Sequence, residues 1–317
     1  MALSRADQGG RVSKSYYMVK DRWYTKLQQA VVFGITFVVR VLTWPVPTPW
    51  LSGLAAWVSG RFAMAVPGLR RRALRNLDRV WPDRPKDERR AIARDAAAHF
   101  GRLGIEYSRL RRAIREIPFQ CSGVEHLQDA KAAGKGAILV TAHYGNWEFA
   151  RLAAKTAGVE TGIIYRAFNN RYLDAYTQRL ITSCGEPVLQ KGRSGMRELV
   201  AHVRRGGFIM ILVDQRNSGA PFLDFLGHPA ETVTVAADLA AKTGAALIPT
   251  RSVRDIANNR FDVTFEPPIP TADPTAMMQQ VNDRISAWIT ERPEQWLWFH
   301  RRWKSTLRSR TRPGEEA

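Results

Sequence analysis

Six consecutive apolar residues, Phe208–Val213, constrain the fold more tightly than any other part of the sequence. An uninterrupted run of this length, followed at once by Asp214, is typical of an interior strand of a parallel sheet, because both faces of such a strand are covered. Shorter apolar patterns predict four more strands, at 136–141, 162–165, 245–249 and 261–265.

Helical patterns lie between these strands. Apolar residues recur at steps of three and four from 87 to 112, a helix is expected to start at Trp147, and two more are expected at 172–183 and 197–205. Strands that alternate with helices predict an α/β fold with a mostly parallel central sheet and helices on both faces. With 317 residues, 45% of them hydrophobic, one such domain can be placed at residues 65–305, followed by a charged tail at 306–317 that we expect to be disordered.

The first 64 residues differ from the rest. A basic start (Arg11, Lys14, Lys20, Arg22) precedes two apolar stretches, Ala30–Trp44 and Trp50–Met64. About 20 apolar residues are needed to cross a bilayer, and Arg40 with the prolines at 45, 47 and 49 interrupts the first stretch. We therefore expect a membrane-associating helical segment that lies at the surface or forms a hairpin, with aromatic and basic residues at the headgroups (Trp44, Trp50, Trp57, Arg70, Arg71, Arg72, Arg75). The alternative is a pair of helices buried against the core.

The net charge of +19 indicates a negatively charged partner, which could be nucleic acid, an anionic membrane, or an acidic protein or lipid substrate. The two cysteines, Cys121 and Cys184, have no neighbours at metal-ligand spacing. We therefore expect a reducing cytoplasm, no metal and no cofactor.

A candidate catalytic pair follows the strand at 136–141. His143 comes two residues after the strand, Gly145 and Asn146 predict a turn, and Glu148 falls in the first turn of the next helix. An imidazole can take the proton of an attacking hydroxyl, and a carboxylate on its other ring nitrogen fixes the tautomer. The bare spacing is common by chance, so a structural histidine is the alternative.

Two more predicted strands end in polar residues. Arg166 closely follows the strand at 162–165, and Asp214 and Gln215 follow Val213. The carboxyl ends of parallel strands form one ligand-binding rim. Arg166 could bind a phosphate or polarise a thioester, or it could pair with Asp174. Asp214 could cap a helix or pair with an arginine.

Five ordered blocks between Val80 and Lys304 resemble the late acyltransferases of lipid A biosynthesis, the lauroyl/myristoyl transferases of the lysophospholipid acyltransferase superfamily: GAILVTAHYGNWE, YRAFNNRYLD, LVDQR, FLDFLGHPAETV and RPEQWLWFHRRWK. The resemblance implies a glycerolipid acyltransferase-like fold, an acyl carrier protein thioester as donor, a lipid A precursor as acceptor, and work at the cytoplasmic face of the inner membrane. On matching positions it implies His143 and Glu148 as the catalytic pair, with substrate bound by Arg166, Asp214, Gln215, Gly145 and Asn146.

Other functions are also compatible with parts of the sequence. A related enzyme could acylate a lysophospholipid, an ornithine lipid or another glycolipid. A nucleic-acid-binding protein would explain the charge, since C-terminal aromatic and basic residues could stack on bases, although we expect no nucleic acid partner. The same block (Trp296, Trp298, His300, Arg301, Arg302, Trp303, Lys304) suits a membrane surface or a closing helix packed on the sheet. A serine hydrolase would need a Gly-x-Ser-x-Gly elbow, and Ser194 has the wrong spacing.

Overall fold

The computed structural model describes residues 23–303. The α-helices, in chain order, are α1 Trp23–Leu42, α2 Thr48–Ala65, α3 Pro67–Val80, α4 Lys86–Ser108, α5 Leu110–Glu116, α6 Val124–Ala132, α7 Trp147–Thr156, α8 Arg171–Ile181, α9 Arg193–Arg204, α10 Val235–Thr243 and α11 Pro274–Glu291. The strands are β1 Phe119–Ser122, β2 Ala137–Thr141, β3 Thr161–Tyr165, β4 Val188–Gln190, β5 Phe208–Leu212, β6 Phe222–Phe225, β7 His228–Glu231, β8 Ala246–Asp255 and β9 Arg260–Phe265.

Seven strands form one sheet in the order β1-β9-β8-β2-β5-β3-β4. Every neighbouring pair in it is parallel except β8 and β9, which are antiparallel. The strands β6 and β7 form a separate hairpin. A mixed α/β fold with a mostly parallel central sheet is therefore confirmed.

Helices cover both faces of this sheet. Along β2, Ile138 and Val140 pack into one apolar cluster together with residues of α3, α9, α10 and α11. Their neighbours Ala137 and Leu139 pack into a second cluster with residues of α5, α6 and α7. Successive side chains of a strand point to opposite faces, so a strand enclosed on both sides must be apolar throughout, as β2 and β5 are.

The helix expected over 87–112 is two helices. The chain breaks at Arg109, whose φ of −127° ends α4 and whose buried guanidinium donates to the carbonyl oxygens of Trp44 and Val46, each at 2.9 Å. A charged side chain can be buried when polar partners satisfy it. The link between α1 and α2 is thereby fixed to the end of α4, which periodicity alone did not predict.

The helix α2 has its small residues on the inside and its large apolar residues on the outside. Its buried side consists of Thr48, Ser52, Ala56, Gly60 and Ala63 and packs along α4. The large residues Trp50, Leu54, Trp57, Val58 and Phe62 are 48% to 78% exposed. The alternative of two fully buried helices is therefore wrong for α2.

Within residues 23–303, no helix is both long enough and apolar enough to cross a bilayer. The basic start (Arg11, Lys14, Lys20, Arg22) and the tail at 306–317 lie outside the described residues. The division into a segment 1–64 and a domain 65–305 stays a prediction.

The three tryptophans of the C-terminal block do not form a membrane surface, and residues 296–303 do not form a helix. Trp296 and Trp298 are completely buried and Trp303 is 2% exposed, while the chain from 296 to 303 has no helical hydrogen-bonding pattern. The packed alternative was right about burial and wrong about the helix. Tryptophan rings bury more apolar area than other side chains, and these three close the core beside Phe225.

Candidate active site

The carboxyl ends of three adjacent strands meet at one rim of the sheet. Thr141 at the end of β2 is opposite Leu212 at the end of β5, and β3 pairs with the other side of β5. The residues that follow these ends include His143, Asp214 and Arg166. The structure thus brings the side chains of His143 and Asp214 into contact, and it places Arg166 after β3 at the same end of the sheet.

Asp214 is the carboxylate that holds the ring of His143. The Nδ1 atom of His143 lies 2.8 Å from Oδ1 of Asp214, and the backbone N–H of His143 donates to Oδ2 at 2.9 Å. The indole N–H of Trp296 also donates to Oδ2, at 2.9 Å. Burial raises the pKa of Asp214, but the charge and hydrogen bonds of His143 and the bond from Trp296 outweigh it and lower that pKa to about 2.

Glu148 does not hold that ring, which corrects the pairing expected from the sequence. Its carboxylate accepts from the hydroxyl of Tyr107 at 2.8 Å and from Nη1 of Arg151 at 2.5 Å, and it is completely buried. Arg151 donates in turn to the carbonyl oxygens of Thr161, Ile181 and Gly185. Glu148 therefore joins α7 to α4 and, through Arg151, to the start of β3, the end of α8 and the segment that follows α8. A catalytic role for it stays a prediction.

Gly145 and Asn146 position the loop that carries His143. Gly145 has a φ of +59°, and a Cβ atom there would lie 1.6 Å from the carbonyl oxygen of Ser252, so only glycine fits. The Asn146 side chain caps α7 by accepting from the N–H of Glu148 at 3.2 Å, and its amide donates to Glu106 at 3.0 Å. The helix start at Trp147 is confirmed. The predicted contact of Gly145 and Asn146 with substrate stays a prediction.

A second layer of residues fixes this loop from behind. Glu106 and Arg254 form a buried ion pair beside Asn146. The ring of His99 donates from Nε2 to the carbonyl of Gly145 at 3.0 Å, because a carbonyl can only accept. Burial, reinforced by the charge of Arg254, lowers the pKa of His99 to about 3, so this ring is neutral at physiological pH.

The C-terminal segment lies against the His143 loop. The N–H of Leu297 donates to the carbonyl of His143 at 3.2 Å, and the N–H of Gly145 donates to the carbonyl of Gln295 at 3.1 Å. Trp296, between these two residues, binds Asp214. The sequence pattern singled out Trp296 for its aromatic character but gave no sign that it contacts Asp214, because the two are 82 residues apart.

The second ring nitrogen of His143 faces the open rim. The amide Nε2 of Gln215 lies 3.2 Å from it, and the His143 side chain is 21% exposed. With Nδ1–H donating to Asp214, Nε2 carries the lone pair, which an amide N–H can approach. The ring of Trp147 packs edge-on against the imidazole with centroids 5.4 Å apart. The imidazole is thus held in place and is partly exposed at the rim.

Arg166 is exposed at the same rim. Asp174, the alternative partner of Arg166, accepts from the N–H of Phe168 at 2.9 Å and from the hydroxyl of Tyr165 at 3.4 Å. A role for Arg166 in binding substrate stays a prediction.

Fold and rim together define a mostly parallel α/β enzyme domain with a histidine–aspartate pair at the carboxyl ends of its strands. The chain belongs to the bacterial lipid A biosynthesis acyltransferase family, whose profile matches residues 18–305. It is therefore an acyltransferase.

Its relatives act on more than one lipid. A phosphatidylinositol mannoside acyltransferase of Mycobacterium tuberculosis is 29% identical over 223 residues, 66% of this chain and 69% of the relative. The lipid A biosynthesis palmitoleoyltransferase of Escherichia coli is 26% identical over 263 residues, 77% and 82% of the two chains. The lipid A biosynthesis lauroyltransferase of the same organism is 26% identical over 292 residues, 86% and 90% of the two chains.

Proposed function

We propose that this acyltransferase moves a fatty acyl chain from an acyl carrier protein thioester to a hydroxyl of a lipid A precursor at the cytoplasmic face of the inner membrane. The observation that carries the proposal is the contact of 2.8 Å between Nδ1 of His143 and Asp214. It orients the imidazole so that Nε2 can act as a general base.

In the first step, Nε2 of His143 takes the proton of the acceptor hydroxyl as its oxygen attacks the thioester carbonyl. Asp214, which stays ionised, stabilises the imidazolium that forms. The tetrahedral intermediate then collapses, the carbon–sulfur bond breaks, and the imidazolium returns its proton to the departing thiolate. The products are an ester and a free thiol, and the enzyme is unchanged. In this scheme Arg166 stabilises the oxyanion or binds an anionic group of the substrate.

An apolar groove supports an acyl substrate. It encloses about 330 Å³ between α1, α2, α4 and α8, and its walls are mostly apolar: Phe33, Phe37, Val39, Leu51, Ile105 and Leu173. In the same turn of α4, Tyr107 packs against Trp147, which contacts the ring of His143. We therefore assign this groove to the acyl chain of the donor and call it the acyl groove.

The outward-facing residues of α2 support work at a membrane surface. A soluble helix normally buries its large apolar side chains, whereas α2 exposes Trp50, Trp57 and Phe62. The guanidinium of Arg61 lies 4.1 Å from the centre of the Trp57 ring, which places a cation beside this apolar face. Aromatic and basic residues together are typical of an interfacial helix on anionic lipid.

A nucleic acid partner loses its main support. The C-terminal tryptophans that could have stacked on bases are buried in the core. A different lipid acceptor keeps specific support, because the relative from Mycobacterium tuberculosis is named for phosphatidylinositol mannoside. Mass spectrometry of membrane lipids after deletion of the gene distinguishes the acceptors, since the lipid that loses one acyl chain is the product.

The central test is transfer of a labelled acyl chain from acyl carrier protein to purified acceptor by His143→Ala. We expect at least a hundredfold loss of kcat with unchanged unfolding behaviour. His126→Ala, which removes a histidine from α6, outside the residues that follow β2, β3 and β5, is the matched control. A His143→Ala protein with more than a tenth of the wild-type rate would rule out His143 as the base.

A further inference from the structure

A cleft lined by arginines lies beside α3, and we call it the arginine cleft. It encloses about 400 Å³, within the range of small-ligand sites. Its walls are Gly68, Arg71, Arg72, Arg75, Arg79 and Arg301, with Asn76 and Trp303 completing them. None of these residues belongs to the rim that holds His143 and Asp214.

The arginines of α3 share one face of the helix. Arg71 and Arg75 are four residues apart, and Arg72 and Arg75 are three apart, so their side chains are neighbours. Like charges at these spacings destabilise a helix unless an anion compensates them. The one acidic residue of α3, Asp78, forms an ion pair with Arg89 at 3.3 Å instead.

These charges are available to a ligand. Among residues 23–303, the ion pairs do not include Arg71, Arg72, Arg75 or Arg301. Arginine is the side chain best matched to phosphate, because its planar fork donates two parallel hydrogen bonds to phosphate oxygens. Several guanidinium groups around one concave space favour a phosphate over a singly charged carboxylate.

The wall of the cleft is connected to the candidate base. The amide of Asn76 donates to the carbonyl oxygens of Trp298 at 2.7 Å and His300 at 2.8 Å. The Nε2 atom of His300 accepts from the N–H of Arg216 at 3.2 Å. Arg216 directly follows Gln215, whose amide contacts His143. The arginine cleft and the rim are therefore built on the same C-terminal segment and the same β5 loop.

We propose that the arginine cleft binds a phosphate group of the lipid acceptor and so holds the acceptor beside the base. This assignment deepens the proposed function and rests on it only for the source of the phosphate. The helix α3, which lines the cleft, directly follows α2, whose exposed face is apolar. A headgroup site is expected beside an interfacial helix of this kind. A concave site also distinguishes this ligand from an acidic carrier protein, which would need only an open basic surface.

The binding test uses dihexanoyl phosphatidic acid as a soluble probe, with inorganic phosphate as a second arm and dihexanoyl phosphatidylcholine for comparison. We expect saturable binding of one phosphatidic acid molecule, weakened at least tenfold in Arg72→Ala/Arg75→Ala. The matched control is Arg197→Ala/Arg204→Ala, which removes the same charge from α9 and leaves the affinity unchanged. Inorganic phosphate is expected to compete with the lipid, and a failure to compete would overturn the assignment to a phosphate site.

A second variant distinguishes binding inside the cleft from a general effect of positive charge on the surface. A Cβ atom built on Gly68 meets nothing within 4 Å, so Gly68→Leu adds a side chain at the wall of the cleft without changing the charge. We expect this variant to lose at least tenfold in affinity for phosphatidic acid. If Gly68→Leu binds like wild type and both arginine pairs weaken binding equally, the proposal is wrong.

Transfer kinetics then test the source of the phosphate. For Arg72→Ala/Arg75→Ala we expect the acceptor KM to rise at least tenfold, with kcat and the donor KM within twofold of wild type. A rise in the donor KM alone would mean that the carrier protein docks there, and an unchanged acceptor KM would mean that the phosphate is not the acceptor's; either result overturns the assignment. His143→Ala should bind the probe normally and lose transfer. If it bound the probe normally but kept its transfer activity, the proposed function would be wrong and the assignment of the cleft would stand.

Discussion

Replacing Asp214 with asparagine should reverse the tautomer of His143. The Oδ2 position of Asp214 accepts two hydrogen bonds, from the backbone N–H of His143 and from the indole of Trp296, both at 2.9 Å. Neither donor can change its role, so the amide oxygen of the introduced asparagine must take this position. Its NH2 group then faces Nδ1, which has to accept, and the proton moves to Nε2.

The size of the effect follows from this geometry. A protonated Nε2 cannot remove the proton of a hydroxyl, and the same reversal in a serine protease triad lowers kcat about 10⁴-fold. That factor corresponds to about 5.5 kcal/mol of transition-state stabilisation. We expect a loss of 10³- to 10⁴-fold here, on the order of that precedent, and no further loss when His143→Ala is added, because the two residues act as a unit.

The substitution Asp214→Asn should lower the free energy of unfolding by much less than the loss of about 5.5 kcal/mol in transition-state stabilisation that the precedent shows. A pKa of about 2, below the ordinary value of 3.8, means that the ionised carboxylate stabilises the fold above about pH 4 and loses this contribution as the pH falls through 2. The contribution is worth about 2 kcal/mol at neutral pH. Urea unfolding checks this value, and kcat is measured where the variant is fully folded. A kcat within tenfold of wild type would refute the argument.

Three other variants test other parts of the structure. Glu148→Gln leaves Arg151 as an unpaired buried charge, so the free energy of unfolding in urea should fall by about 3–5 kcal/mol. The kcat of the folded variant should stay within tenfold of wild type. A variant that is stable but inactive would mean that Glu148 has a direct catalytic role. Gly104→Leu should fill the acyl groove, because a Cβ atom at this position meets no atom within 4 Å. When two donors differ by two carbons, the variant should lower kcat/KM for the longer donor about tenfold relative to the shorter one. The control Gly34→Leu, which lies outside the groove, should not change this ratio. Because the pKa of folded His99 is about 3, only the unfolded chain takes up a proton at this residue as the pH falls below 6.5. His99 should therefore lower the unfolding free energy by about 1 kcal/mol for each unit that the pH falls in this range, and His99→Gln should remove this contribution to the slope.

Local patterns in the sequence predicted the elements that bear the site. The strands that precede His143, Arg166 and Asp214 are β2, β3 and β5, each within two residues of its predicted bounds. The cap at Asn146 and the helix start at Trp147 are also local, because they depend on a side chain and backbone groups two residues apart.

Local sequence patterns could not predict which carboxylate contacts the ring of His143. Glu148 is five residues from His143 and Asp214 is 71 residues away, yet Asp214 contacts the ring because β5 is the neighbour of β2 in the sheet. The order of strands is set by packing across the whole domain, and no spacing in the sequence contains it. The same limit applies to Trp296, whose apolar ring and polar N–H suit a membrane surface and a buried contact with Asp214 equally well.

The seating of residues 295–297 against the His143 loop has a consequence for biosynthesis. The ribosome completes β2, β3 and β5 long before it reaches Trp296, so for much of translation the nascent domain holds its histidine without the indole that anchors Asp214. Activity should therefore appear only after Trp296 and its neighbours have been synthesised and have packed against the His143 loop.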